Sequence, residues 1–83
     1  MEPKIVGSRI KELMEIKQIQ EVDLAKELDI SIKELKKKLN GEEEFFVSQM
    51  MQIKEIFHLN LDIWAKLFFE EDFNSEEIFT NLY

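Results

Sequence analysis

The chain has 83 residues, which suits one domain rather than two, and 45% of them are apolar, a proportion typical of folded proteins. It has no cysteine, which excludes disulfides and thiolate metal sites, and no apolar run long enough for a signal peptide or a membrane span, so we expect a cytoplasmic protein. The formal net charge of −7 argues against general affinity for nucleic acids.

Apolar residues recur at helical spacing along the whole chain, and its two glycines and one proline leave little scope for strand hairpins. We therefore predict an all-α fold, a compact bundle of five helices with a short additional helix near the C-terminal end. In chain order, the pattern predicts helices over residues 5–17, 20–28, 31–39, 47–57 and 60–69, and a last one that begins at residue 74 or 75. Phe45 and Val47 are expected to anchor the connection that precedes the fourth helix.

The junction between the second and third helices carries the strongest signal. Asp29 falls where the chain must turn sharply with a positive φ, a conformation that Asp tolerates better than most residues. Ser31 and Glu34 match a capping box, which marks the start of a helix. Two short helices joined by such a turn form a helix-turn-helix. The residues expected to build this corner are Leu24, Ala25, Leu28, Asp29, Ile30 and Leu35.

At residues 24–41 the chain reads LAKELDISIKELKKKLNG, which resembles the Cro/C1-type helix-turn-helix regulators of phages and bacteria. The stretch RIKELMEIKQI at residues 9–19 is similar to the first helix of that family, and the likeness extends over residues 8–69. The resemblance implies a lambda-repressor-like domain over residues 1–70. It also implies a sequence-specific transcriptional regulator of phage or mobile-element type, such as a repressor, that binds an operator in double-stranded DNA as a dimer.

The resemblance places the N-terminal end of the third helix in the major groove. The side chains that it directs to bases and phosphates are Ser31, Ile32, Lys33, Lys36 and Lys37, with Lys38 and Asn40 near the DNA backbone. The spacing of the residues points the same way, because Lys33, Lys36 and Lys37 share one face opposite Leu35 and Leu39. A solvated lysine face with no ligand is the alternative interpretation.

Several acidic residues depart from the family pattern and weaken phosphate binding. Glu21 stands where the family usually has glutamine, and Glu42–Glu44 follow the third helix where Lys or Arg is usual. Residues 42–83 as a whole hold ten acids against two lysines. We therefore expect DNA binding that is weak, salt-sensitive or assisted by a partner. The alternative function is an acidic protein-interaction module on the same scaffold, such as an antirepressor, a DNA mimic or an inhibitor of a host nucleic-acid protein.

The C-terminal extension, residues 71–83, is rich in aromatic side chains. A core of this size has limited room for them, and aromatic residues are enriched at interfaces. The extension therefore adds either a short helix to the core or a dimer contact through Phe73, Phe79 and Tyr83.

An enzyme is not expected. His58 is the only histidine, and we interpret it as the residue that ends the fourth helix with a positive φ rather than as a general base. The acidic runs lack the alternating ligands and central glycine of a calcium loop. The sequence therefore predicts no metal site and no cofactor.

Overall fold

The computed structural model describes residues 2–71 and 73–80, and within these ranges it contains helices and connections but no strand. The helices are α1 (Pro3–Lys17), α2 (Glu21–Leu28), α3 (Ile32–Leu39), α4 (Val47–Ile56), α5 (Leu61–Phe69) and α6 (Ser75–Thr80). The predicted all-α fold is confirmed, with five helices and a short sixth, and every predicted helix end lies within two residues of the observed one.

The helix ends follow from local chemistry. Asp29 and His58 adopt left-handed conformations with φ of 57° and 54°, as predicted, and Gln18 ends α1 in the same way. Ser31 and Asn60 accept hydrogen bonds from backbone N–H groups in the first turns of α3 and α5. Short-range interactions therefore fix several of the helix ends without help from long-range packing.

The core is built around α1, which packs against α3, α5 and α6. Its side chains Ile10 and Leu13 are completely buried. At Gly7 a side chain would overlap the backbone carbonyl of Leu39, so the absence of a Cβ allows α1 to touch the last turn of α3. This close approach fixes the position of α3, the helix of most functional interest.

Arg9 ties α1 to the C-terminal end of α5. Arg9 is 8% exposed, and its guanidinium donates hydrogen bonds to four backbone carbonyls, those of Lys66, Leu67, Glu70 and Glu71, at 2.7–3.2 Å. Burial lowers the pKa of Arg9 from its ordinary value. The carbonyls at a helix C-terminus favour a cation, so they offset part of the cost of burying this charge.

The two described aromatic side chains of the C-terminal extension, Phe73 and Phe79, pack against the core. Phe79 is 3% exposed, and the half-buried Phe73 ring lies 5.3 Å from Phe79 and 4.3 Å from the Arg9 guanidinium. The prediction of a dimer contact at Phe79 is wrong, because α6 buries this ring in the core. The predicted contact at the half-buried Phe73 stays a prediction. Tyr83, the third predicted contact, lies outside the described residues.

One predicted anchor of the α3–α4 connection is confirmed and the other is wrong. Phe45 is buried and its ring meets that of Phe68 edge-on at 6.4 Å. Val47 is 70% exposed, because it opens α4 on the side that faces away from the core. No helix within the described ranges has both the length and the apolar character that crossing a bilayer requires.

Candidate nucleic-acid interface

The corner between α2 and α3 has the packing predicted for it. Leu24, Ala25, Leu28 and Leu35 are at most 4% exposed, and Ile30 is half-buried against them. The Ile30 N–H donates to the Ala25 carbonyl at 3.0 Å, which closes α2 over the left-handed Asp29. The corner therefore buries one side of α3 and leaves the opposite side to solvent.

The N-terminus of α3 is open. The Ser31 Oγ accepts from the Glu34 N–H at 3.0 Å, and Ser31, Ile32 and Lys33 are all exposed. Glu34 does not complete the predicted capping box, since its carboxylate lies 3.9 Å from the Lys38 Nζ instead. Ile32 is an apolar residue that remains 42% exposed.

The four lysines of α3 have three different environments. Lys33 and Lys36 are exposed, and within the described ranges neither lies within 4 Å of a carboxylate. Lys37 is half-buried, with its Nζ 4.0 Å from a Glu43 carboxylate oxygen. The accessible lysine face therefore consists of Lys33 and Lys36, which have no carboxylate partner among the described residues, and Lys37, which has Glu43 beside it.

Lys38 is the exception, and its predicted place beside the DNA backbone is wrong. Its side chain is 1% exposed, and its ammonium donates to the Glu44 carbonyl at 3.0 Å. The same Nζ lies 3.9 Å from the centre of the Phe46 ring, a cation–π contact. Because the ammonium is used inside the chain, Lys38 cannot reach a phosphate.

Asn40 remains at the surface, and its Oδ1 accepts a hydrogen bond from the Lys11 Nζ at 2.8 Å. Lys4 also lies at this end of α3, because its Cα would be 2.5 Å from a Cβ at Gly41. Lys4 and Lys11 are both exposed and lie seven residues apart on α1, either side of Gly7. The structure thus brings two further lysines to the C-terminal end of α3.

Sequence reasoning missed these two residues. A spacing of seven places them on one face of α1, and Gly7 between them marks a close helix contact. Together these features are the signal that could have found them. They did not indicate which helix contacts Gly7, because only the three-dimensional packing of the helices shows this.

A groove on another side of the molecule contains the only histidine. It has a volume of about 470 Å³ and is lined in part by Asp23, Glu27, Glu55 and His58. Among residues 2–71 and 73–80, no group of three or more His, Cys, Asp or Glu side chains is arranged to hold a metal ion. The residues that line this groove include no serine, threonine or cysteine that could act as a nucleophile beside His58, so we assign no reaction to the groove.

No family model, curated protein or solved structure matches this chain.

Proposed function

We propose that the chain binds double-stranded DNA through α3 and acts as a transcriptional regulator of phage or mobile-element type. The observation that carries the proposal is the pair Lys33 and Lys36. Both are exposed and free of carboxylate partners within the described ranges, on a helix whose opposite side is buried against α1 and α2. A rigid helix with cations on its outer face suits the major groove and the phosphates beside it.

Different side chains at α3 suit different parts of the DNA, according to their chemistry. Ser31 and Ile32 stand at the exposed N-terminus, where a hydroxyl can hydrogen-bond and an isoleucine can contact a thymine methyl group. Lys33 and Lys36 attract phosphates or guanine edges, and Lys11 extends the cationic surface toward a neighbouring phosphate. The proposed contact set is therefore the predicted one without Lys38 and with Lys11 added.

Binding through this surface is weak and depends strongly on salt. The net charge of −7 repels DNA at long range, and Glu43 shares the charge of Lys37 at short range. Each phosphate that a lysine neutralises releases counterions, so the affinity falls as the salt concentration rises. Measurements at about 50 mM and about 200 mM salt bracket the expected range.

The test is a fluorescence titration with a labelled duplex of about 20 base pairs, which spans two turns of DNA. The variant Lys33→Gln/Lys36→Gln is expected to weaken binding by about tenfold or more at low salt and to flatten the salt dependence. The control Lys54→Gln/Lys66→Gln makes the same change in net charge on α4 and α5, where both lysines have acidic neighbours. Equal losses in the two variants would contradict the proposal.

A second copy of the chain is the proposed partner for the apolar side chains left uncovered on α4 and α5. Val47, Met51, Leu61 and Phe69 are each at least 59% exposed. The two helices meet where the Trp64 Nε1 donates to the Met50 carbonyl at 2.8 Å, and the Phe69 ring lies 5.5 Å from Trp64.

Charge favours a like copy at this surface. Residues 47–69 hold two lysines and two acids, so the whole net charge of −7 lies elsewhere in the chain. Two copies that meet here avoid the repulsion that opposes contact through other faces. Such a dimer would present two copies of α3.

The alternative function, an acidic protein-interaction module, is favoured by the same net charge and by the exposed Glu42–Glu44 run. Its partner would be a basic protein surface. The titration separates the two functions, because the interaction module predicts no binding of duplex DNA even at low salt, together with specific capture of a basic protein.

A further inference from the structure

We infer that Glu43 sets the affinity of α3 for DNA by competing with phosphate for Lys37, and that Lys38 is the residue that positions it. This inference rests on the proposed function and names a control on that same site. The sequence pattern had placed Glu43 among the acids that weaken phosphate binding and Lys38 among the DNA contacts. The inference gives each of them a different role.

The competition is visible in the surroundings of Lys37. Its Nζ lies 4.0 Å from the Glu43 carboxylate, and the two side chains are 44% and 46% exposed. Both line a shallow pocket of about 300 Å³ together with Ser31, Lys33 and Glu34. The Glu43 carboxylate therefore lies next to Lys37 and beside residues that the proposed function directs to DNA.

The backbone on both sides of Glu43 is held in place. The Glu42 N–H donates to the Lys37 carbonyl at 2.9 Å, and the Glu44 carbonyl accepts from the Lys38 Nζ at 3.0 Å. Gly41 turns the chain with a φ of 78° against the backbone of Lys4, where a side chain has no room. Glu43 thus lies between two anchored neighbours, so its side chain can rotate but its backbone stays beside α3.

The buried Lys38 is the centre of this anchor. Its ammonium is enclosed by the Glu44 carbonyl, the Phe46 ring and the Glu34 carboxylate, all within 3.9 Å. The Glu34 carboxylate thus lies beside Lys38, and the same ammonium holds the Glu44 carbonyl that follows Glu43. The one cation of α3 that cannot contact DNA therefore helps to position Glu34 and the backbone next to Glu43.

A phosphate that approaches Lys37 must displace the Glu43 side chain and then remain close to its negative charge. Exposed ion pairs of this kind contribute little, so removing the carboxylate is expected to tighten DNA binding by about 1.4-fold to fivefold. The tighter complex also includes one more phosphate contact, which makes the salt dependence steeper.

The experiment compares Glu43→Gln with Glu55→Gln in the same titration with the labelled duplex. Glu55 is a matched control, because it also lies 4.0 Å from a lysine, Lys54, but on α4, and both variants change the net charge equally. We expect tighter binding with Glu43→Gln and little change with Glu55→Gln. Equal effects of the two variants would reduce the role of Glu43 to general charge and would overturn the inference.

A double-mutant cycle with Lys37→Gln tests the route of the effect. If Glu43 acts by competing for Lys37, the gain from Glu43→Gln disappears in the Lys37→Gln background. A gain that persists in full would overturn the inference while leaving DNA binding intact. If neither the unmodified chain nor Glu43→Gln binds the duplex at low salt, the proposed function itself fails, and the inference fails with it.

Discussion

The lysine run of α3 and the aromatic run of α5 each place like residues side by side, and each divides into exposed and buried members. Lys36 is exposed while Lys38 is 1% exposed, and Phe69 is 59% exposed while Phe68 is 2% exposed. Residue type alone predicts that all lysines are exposed and all phenylalanines buried. In both helices one member breaks this rule, because position around the helix and the neighbouring connection decide burial.

The two exceptions have different consequences. The buried Lys38 finds a carbonyl, an aromatic ring and a carboxylate, so its charge has partners inside the chain. The exposed Phe69 ring lies 5.5 Å from the Trp64 ring and 6.3 Å from the Phe68 ring, and it still leaves apolar surface in water. The lysine exception therefore strengthens the fold, whereas the phenylalanine exception points to a partner. Three predictions test this contrast.

The largest effect is expected in α5. Phe68→Ala removes a buried ring that contacts Phe45, and we expect it to lower the free energy of unfolding by about 3–4 kcal/mol. Phe69→Ala is the matched control and should cost about 1 kcal/mol or less, because the ring is mostly exposed. Urea denaturation at low protein concentration measures both. Similar losses from the two variants would contradict the assigned burial.

The next effect is expected in α3. Lys38→Ala removes a buried stem and its ammonium, and we expect a loss of about 2 kcal/mol in the free energy of unfolding. Lys36 lies two residues before Lys38 in the same helix and is exposed, so Lys36→Ala should change stability by about 0.5 kcal/mol or less. Thermal and urea denaturation measure the difference. Lys38→Met keeps most of the aliphatic stem, so any loss of stability that persists in this variant measures the contribution of the ammonium. Equal stability of Lys38→Ala and Lys36→Ala would contradict the role of Lys38 as a buried anchor.

The smallest effect concerns association. We expect the unmodified chain to form a dimer at high concentration and Phe69→Gln to weaken that dimer by about tenfold, a loss of about 1.4 kcal/mol of association free energy. Val22→Gln is the control, since Val22 is 52% exposed on α2, outside the proposed contact. Sedimentation equilibrium over a range of concentrations measures both variants. A chain that stays monomeric at the highest concentration would remove the second copy as the partner of α4 and α5.

The sequence alone determined the helical fold and most helix ends of this protein. Helical spacing of apolar residues, the capping residues Ser31 and Asn60 and the turn at Asp29 act within a few neighbouring residues, so they can be read without any knowledge of long-range contacts. The lysine face of α3 was predicted on the same basis, and Lys33 and Lys36 lie where helical periodicity places them.

Only the tertiary structure decided which charges of the candidate interface are available. The burial of Lys38 depends on the α3–α4 connection folding back over it, and the arrival of Lys11 beside Asn40 depends on α1 crossing α3 at Gly7. Phe79 is likewise removed from the surface because α6 packs on α1. These contacts join residues far apart along the chain or across a loop, and local spacing holds no information about which distant groups meet.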